Sequence, residues 1–257
     1  MLLENKRILI MGIRNKWSIA YGIAKSAYEN GAKLIFTYMG EENKEKIEEL
    51  TSEFVGSKSY VLDDASNDEL VKNVFEKIKS ENGKIDGLVH AIAHANVEDL
   101  HNDFIYTSKT GYSHAVEVSS YSFVLCARIA KEIDMLNENA SLVTLTYYGS
   151  AKVVAGYNVM GVAKAALEAS VRYLASDLGK EKIRVNAISA GPIKTLSAKG
   201  IKDFSSMLTV VEEKAPLHQN VTTKQVGDVA TFMLSQMAEA ITGQTIYADN
   251  GYNIMGV

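Results

Sequence analysis

Short runs of apolar, often β-branched residues recur along the chain and alternate with longer stretches whose apolar positions fall three or four apart. The first pattern is that of strands buried on both faces, the second that of helices with one apolar face. Strands are predicted over residues 7–11, 33–37, 59–62, 87–92, 141–146, 183–189 and 245–248, and helices over 18–30, 42–54, 67–80, 113–135, 159–178 and 223–235. Such alternation implies parallel pairing, because a parallel strand needs a crossover, usually helical, to return to the same edge. The expected fold is therefore α/β, a doubly wound parallel sheet of about seven strands with helices on both faces. The stretch from Gly191 to Pro216 is the least periodic and holds the chain's two prolines, so residues 192–216 are expected to form a loop over a site. No Ser/Gly-rich linker and no repeat breaks the pattern, and 257 residues suit one domain over 1–257.

Composition narrows the function classes. Hydrophobic residues make up 47% and charged residues 23%, which excludes a disordered or low-complexity chain. The 27 Lys+Arg and 31 Asp+Glu give a net charge of −4, with no overall positive field to hold nucleic acid. The single cysteine, Cys126, has no internal disulfide partner, and the start Met1-Leu2-Leu3-Glu4-Asn5-Lys6 lacks the basic-then-apolar build of a secretory signal. Apolar runs end long before the roughly 20 residues of a membrane span. A cytoplasmic protein without a membrane partner is expected. The five histidines and Cys126 have no zinc-like pairing, so no metal site is expected.

The first strand runs into Gly12, and a helix with small residues at Ser18, Ala20, Gly22 and Ala24 follows. That is the setting for a dinucleotide pyrophosphate at a helix N-terminus. Gly12 would let the backbone turn close to the ligand, Ser18 could supply a hydroxyl and a cap, and Gly22 would let the helix pack closely on the sheet. The spacing departs from G-x-G-x-x-G, and a strand–Gly–helix turn without a ligand reads the same. After the second strand come Met39-Gly40-Glu41-Glu42. No Arg or Lys waits there for a 2′-phosphate and two acids would repel one, which favours NADH over NADPH; the acids could equally just open the next helix. Asp64, past the third strand, could bind the adenine amino group or form a turn.

The most informative segment is Tyr157-Asn158-Val159-Met160-Gly161-Val162-Ala163-Lys164. Tyr157 and Lys164 are seven apart, about two helical turns, so they share a face. An ammonium beside a phenol would lower the tyrosine pKa and let it polarise a carbonyl or pass a proton. A snorkelling Lys beside a half-buried Tyr fits the same spacing. The pair follows the fifth strand and precedes another that ends in Gly191-Pro192.

With these segments in place, the chain resembles the short-chain dehydrogenase/reductase family, and within it the NADH-dependent enoyl-acyl-carrier-protein reductases of bacterial type II fatty acid synthesis. The resemblance covers nearly the whole chain. It rests on Gly12-Ile13-Arg14-Asn15-Lys16-Trp17-Ser18-Ile19-Ala20-Tyr21-Gly22, Ser119-Ser120-Tyr121-Ser122-Phe123, Tyr157 through Lys164, and Ala190-Gly191-Pro192-Ile193-Lys194-Thr195-Leu196. Ordinary members carry a Ser about a dozen residues before the Tyr. Here Thr146-Tyr147-Tyr148-Gly149 stands instead, with Tyr147 ten residues before Tyr157, as in the reductase subgroup.

The resemblance implies a Rossmann-like sheet, NADH as cofactor, and an enoyl thioester carried on acyl carrier protein as substrate. It implies that Gly12, Ser18 and Ile19 line the pyrophosphate, that Met39 lies by the adenosine ribose, and that Asp64 and Ala65 take the adenine. Ile92 would pack near the cofactor, Lys164 would hold the nicotinamide ribose, and Ile193, Lys194, Thr195, Leu196 and Ser197 would close over the nicotinamide. Ala95 and Met160 would contact substrate, and Tyr157 and Tyr147 would be the catalytic hydroxyls. Hydride would add to C3 of a trans-2-enoyl thioester and leave an enolate for Tyr157 and the ribose to stabilise. Met160, Ile201, Phe204 and Met207 could line an acyl slot or simply be core, and Lys194, Lys199 and Lys202 could meet an acidic carrier protein or only water. A homotetramer is the family's assembly.

Two positions depart from the family. His94 stands where many reductases carry Phe, and Ala248-Asp249-Asn250-Gly251 replaces a more usual turn near the C-terminus. Two rival functions remain on this fold: a carbonyl reductase or alcohol dehydrogenase, which Tyr147 in place of Ser speaks against, and a non-catalytic nucleotide sensor, which an intact Tyr157 and Lys164 speak against.

Overall fold

Ile8 and Ile10 point to one side of strand β1 (Arg7–Met11), Leu9 and Met11 to the other, and all four are fully buried. A strand apolar on both sides is stable only between two layers of helices. The computed structural model describes residues 1–195 and 204–256 and has that arrangement. Strands β2 (Lys33–Tyr38), β3 (Lys58–Val61), β4 (Ile85–His90), β5 (Leu136–Thr146), β6 (Arg184–Ala190) and β7 (Thr245–Ala248) join β1 in a seven-stranded sheet of order β3-β2-β1-β4-β5-β6-β7. All pairings are parallel, with Ile10 opposite Phe36 on one side and Val89 on the other.

One face carries α3 (Asp68–Asn82), α6 (Ser122–Glu132) and α7 (Asn158–Leu178), whose Phe75, Phe123 and Val171 fill one core. The other carries α1 (Ile19–Glu29), α2 (Lys44–Thr51) and α9 (Thr223–Leu234), whose Ile23, Ile47 and Val226 fill the second. Burying each such large side chain contributes about 1.5–3 kcal/mol. The strand order reverses between β1 and β4, and ligands of doubly wound sheets lie beyond the carboxyl ends of the strands at such a point.

Several expectations need correction. The helix predicted over 113–135 is two helices, α5 (Lys109–Val116) and α6, joined by a π-helical turn over Glu117–Tyr121. A short helix, α4 (Val97–His101), precedes them in a stretch predicted as coil. The predicted loop 192–216 contains α8 (Phe204–Lys214); little but Val211 and Ala215 is buried there, too sparse an apolar pattern to mark the helix in the sequence. Gly22 makes its close approach to α9 rather than to the sheet: a Cβ there would stand 2.3 Å from the Thr223 carbonyl oxygen, and one on Gly227 2.4 Å from that of Gly22. The two helices thus touch backbone to backbone, and Ser26 adds a 2.7 Å hydrogen bond to Asp228.

Candidate active site

The turn after β1 is shaped by Gly12, at φ 84°. A Cβ there would lie 2.6 Å from the Ala91 carbonyl oxygen and 3.0 Å from Ile92 Cγ1, so glycine alone lets the ends of β1 and β4 approach this closely. Ser18 caps α1, accepting from the Tyr21 amide at 3.2 Å while its hydroxyl donates to the Asn15 carbonyl at 2.7 Å. Ile19 opens the helix, and the first turn carries no acid. Free first-turn amides and the positive dipole end are what a pyrophosphate requires.

Farther along the same edge, Met39 follows β2 and is 65% exposed, an apolar surface on the rim. Glu41 and Glu42 open a short turn, and Glu41 pairs with Lys44 at 3.5 Å. Asp64 accepts from both the amide and the hydroxyl of Ser66, at 2.8 and 2.6 Å, which is the turn-forming arrangement, and Ala65 beside it is buried. From β3 to β5 there are four strand spacings, roughly 19 Å, so the edge accommodates an elongated ligand.

At the other end of that edge, Tyr157 and Lys164 are both buried. Tyr157 occupies the cap position before α7, and Lys164 lies two turns in. Asn158, at φ 41°, begins the helix and anchors it by donating to the carbonyls of Leu100 and Asn102 at 3.1 and 2.7 Å. The Tyr147 ring meets that of Tyr157 nearly edge to face, 4.9 Å between centroids and 71° between planes. Tyr157 and Met160 share one apolar cluster with Leu100, Ala115, Val159 and Ala163, against which Ala95 and Tyr147 pack. The four residues expected to meet substrate are thus brought together.

The electrostatics differ from the expectation that Lys164 would lower the Tyr157 pKa. Burial pushes the Tyr157 phenol well above its ordinary range, and Tyr147 and Glu168 add to the rise. The Lys164 ammonium is directed at the Leu145 carbonyl of β5, 2.8 Å away. Burial lowers its own pKa to about 8, against the opposing pull of Glu168. Tyr147 is likewise raised, chiefly by burial. At neutral pH both tyrosines are intact O–H donors, and Lys164 is mostly a cation with two N–H groups left beyond the one given to Leu145.

The Tyr147 hydroxyl reaches Met207 Sδ on α8 at 3.3 Å, so α8 stands over this end of the site. Ile193 packs on the second core, Lys194 is exposed, and the Thr195 amide donates to the Ile193 carbonyl at 2.8 Å. Leu196, Ser197, Lys199, Ile201 and Lys202 lie outside the described residues, as does the side chain of Phe204. His94 is exposed, its Nδ1 2.8 Å from His114 Nε2, and its backbone amide and carbonyl are both bonded to the Ser119 hydroxyl. Burial, then His114 and Arg14, lower its pKa. In the C-terminal turn, Asp249 accepts from the amides of Gly251 and Asn253, and Tyr252 packs edge-on against Tyr148. A cavity of about 790 Å³ near Tyr60, Lys77 and Glu81 is lined by Glu41 and Lys44 but by none of the residues expected to meet the pyrophosphate, the nicotinamide or substrate.

Sequence reasoning missed Gly149 and Glu168. A Cβ on Gly149 would lie 2.5 Å from the Tyr157 ring, and Glu168 accepts hydrogen bonds from Thr146 and Ser150 on either side of the tyrosine turn. The available signal was Glu168 four residues after Lys164, one helical turn on.

Comparison with known proteins bears on this arrangement. The sequence model of the enoyl-(acyl carrier protein) reductase family matches residues 12–253. The enoyl-acyl-carrier-protein reductase (NADH) FabI of Bacillus cereus is 50% identical over 256 residues, covering 99% of each chain. The corresponding NADPH enzyme of Staphylococcus aureus strain MRSA252 is 48% identical over 252 residues, covering 98% of each. Among solved structures, the Bacillus cereus reductase with NADP+ and indole naphthyridinone superposes with a TM-score of 0.95 over 100% of this chain and 99% of that one. The Anaplasma phagocytophilum reductase with NAD does so at 0.95 and 41% identity, over 100% and 97%.

Proposed function

Because the chain belongs to the enoyl-(acyl-carrier-protein) reductase family, we propose that the carboxyl edge of its sheet takes NADH and a trans-2-enoyl thioester of acyl carrier protein, with Tyr157, Tyr147 and Lys164 as its working side chains. One observation carries the residue assignment: Tyr157 and Tyr147 stand edge to face in the apolar cluster that also holds Met160 and Ala95, with Lys164 buried on the same helix. The cofactor fits the chain at Gly12, whose missing Cβ lets the turn after β1 pass close against the end of β4, and at the acid-free first turn of α1. Gly12, Ser18 and Ile19 would hold the pyrophosphate, Met39, Asp64 and Ala65 the adenosine end, Ile92 the cofactor's flank, and Lys164 the nicotinamide ribose. Ile193 through Ser197 would cover the nicotinamide. When bound, NADH supplies hydride to C3 of the enoyl chain.

The chain's own residues handle the charge that results. Negative charge develops on the thioester oxygen, and the Tyr157 hydroxyl, kept protonated by burial, donates to it. One such preorganised donor typically contributes about 3–4 kcal/mol of transition-state stabilisation. Lys164 would hold the ribose of the bound cofactor, and a proton taken up at C2 from solvent would complete the reduction. Tyr147, its hydroxyl on Met207, closes the pocket against water. Glu41 and Glu42, with no Arg or Lys between Tyr38 and Asn43, support NADH over NADPH.

We place the enzyme in the cytoplasm as a homotetramer, on the strength of the resemblance; no described helix is long and apolar enough to cross a membrane. Light scattering in solution tests the assembly. The function is tested by loss of NADH absorbance with a crotonyl thioester. Turnover is expected to fall about 100-fold or more in Tyr157→Phe with little change in NADH affinity, and unchanged turnover would remove Tyr157 from the mechanism. Turnover on ketones but not on the thioester would overturn the substrate class.

A further inference from the structure

Glu168 is half-buried on α7, one turn beyond Lys164. A single carboxylate oxygen, Oε1, accepts from Thr146 Oγ1 at 2.7 Å and from Ser150 Oγ at 2.5 Å. Those two hydroxyls bracket Tyr147, Tyr148 and Gly149, so this oxygen holds both ends of the turn that carries Tyr147 and presses Gly149 on the Tyr157 ring. A charge-assisted bond of this kind is about twice as strong as a neutral one.

The same carboxylate acts on the catalytic helix. Lys164 is buried and gives one N–H to the Leu145 carbonyl, a neutral acceptor. His90 on β4 also senses Lys164, but burial keeps it neutral, with a pKa near 3. The neighbouring phenols, Tyr157 on α7 and Tyr147 after β5, stay protonated, as does Tyr247 on β7, which feels Glu168 and Asp249 together. Among the described groups, Glu168 is therefore the carboxylate that opposes the effect of burial on Lys164.

We propose that Glu168 is a positioning residue of this reductase, one carboxylate that both fixes the tyrosine turn and serves as counter-ion to Lys164. The proposal rests on the reading that Lys164 holds the cofactor ribose as an ammonium. Its structural half and its electrostatic half are separable by mutation. Glu168→Gln keeps the size and the acceptor oxygen but removes the charge. Thr146→Val/Ser150→Ala keeps the charge but releases the turn.

The test is NADH affinity by fluorescence titration across pH, together with kcat and KM on a crotonyl thioester. In the natural protein NADH affinity is expected to fall as pH rises through about 8, where Lys164 loses its proton. In Glu168→Gln that midpoint moves down, so that NADH binds several-fold more weakly near pH 8. In Thr146→Val/Ser150→Ala the midpoint stays, and KM for the thioester rises several-fold as Tyr147 loosens. A merely structural Glu168 would leave the midpoint of Glu168→Gln where it was, and that result overturns the counter-ion role. An unchanged KM in the double variant overturns the positioning role. A natural protein with no midpoint at all, whose Lys164→Met variant binds NADH normally, overturns the ribose reading and the proposal with it.

Discussion

Replacing Gly149 with alanine adds one methyl group at the most crowded point of the site. Gly149 has no positive φ, so its backbone accepts an L side chain and the effect comes from contact alone. The new Cβ would lie 2.5 Å from Tyr157 Cδ1, 3.0 Å from Cε1 and 3.3 Å from Tyr147 Cδ1. Carbon atoms rest at about 3.5–4.0 Å, so the Tyr157 ring must retreat by roughly 1 Å. The ring is 8% exposed among Val159, Met160 and Ala163. The turn is backed by α7, where the Gly149 carbonyl oxygen lies 2.7 Å from the place a Cβ on Gly161 would take.

Overpacking of this kind costs typically 1–3 kcal/mol of stability. A catalytic group misplaced by about 1 Å costs on the order of 100-fold in rate. In Gly149→Ala, kcat on a crotonyl thioester is therefore expected to fall about 100-fold, while the NADH dissociation constant, which the proposed site assigns to Lys164 and the β1 turn, changes little. Gly179→Ala is the control: nothing lies within 4 Å of its Cβ and its dihedrals, φ −58° and ψ −28°, are helical. That variant should keep full activity and gain about 0.4–1 kcal/mol. A Gly149→Ala enzyme with kcat within threefold of the natural one would refute the claim that Tyr157 is held in place by this contact.

Gly22→Ala should destabilise by about 1–3 kcal/mol or more, because its Cβ would stand 2.3 Å from the backbone oxygen of Thr223 and α1 would have to leave α9; a thermal melt unchanged within error would contradict it. His90 is fully buried, its Nε2 2.9 Å from a Ser122 hydroxyl that already donates to the Val118 carbonyl, so the imidazole is neutral and donates from Nε2. Its folded pKa, about 3, lies below the ordinary 6.5, so below pH 6.5 the unfolded chain binds the extra proton and stability is lost as pH falls. The contribution at pH 5 is a loss of about 2 kcal/mol, read by urea unfolding at pH 7 and pH 5, and His90→Gln should flatten that dependence. Catalytic efficiency should be higher with NADH than with NADPH, and equal efficiency would remove the argument from Glu41 and Glu42.

Seven strands were legible in the sequence because a strand buried between two helical layers must be apolar nearly throughout, and that requirement is local. The turn at Gly12 and the span from Tyr157 to Lys164 were legible for the same reason: a φ of 84° and two turns of one helix leave marks within a few residues. What the fold alone decided lies between residues far apart in the chain. Gly22 and Thr223 are brought into contact only by the packing of α1 on α9. The protonation of Tyr157 is not legible in the spacing, because spacing does not report the loss of water on burial, which raises the phenol pKa with Tyr147 and Glu168 adding to the rise. Glu168 and the two hydroxyls it gathers meet only once β5 and α7 pack together, since hydrogen-bond geometry is fixed by tertiary contact and not by the order of residues.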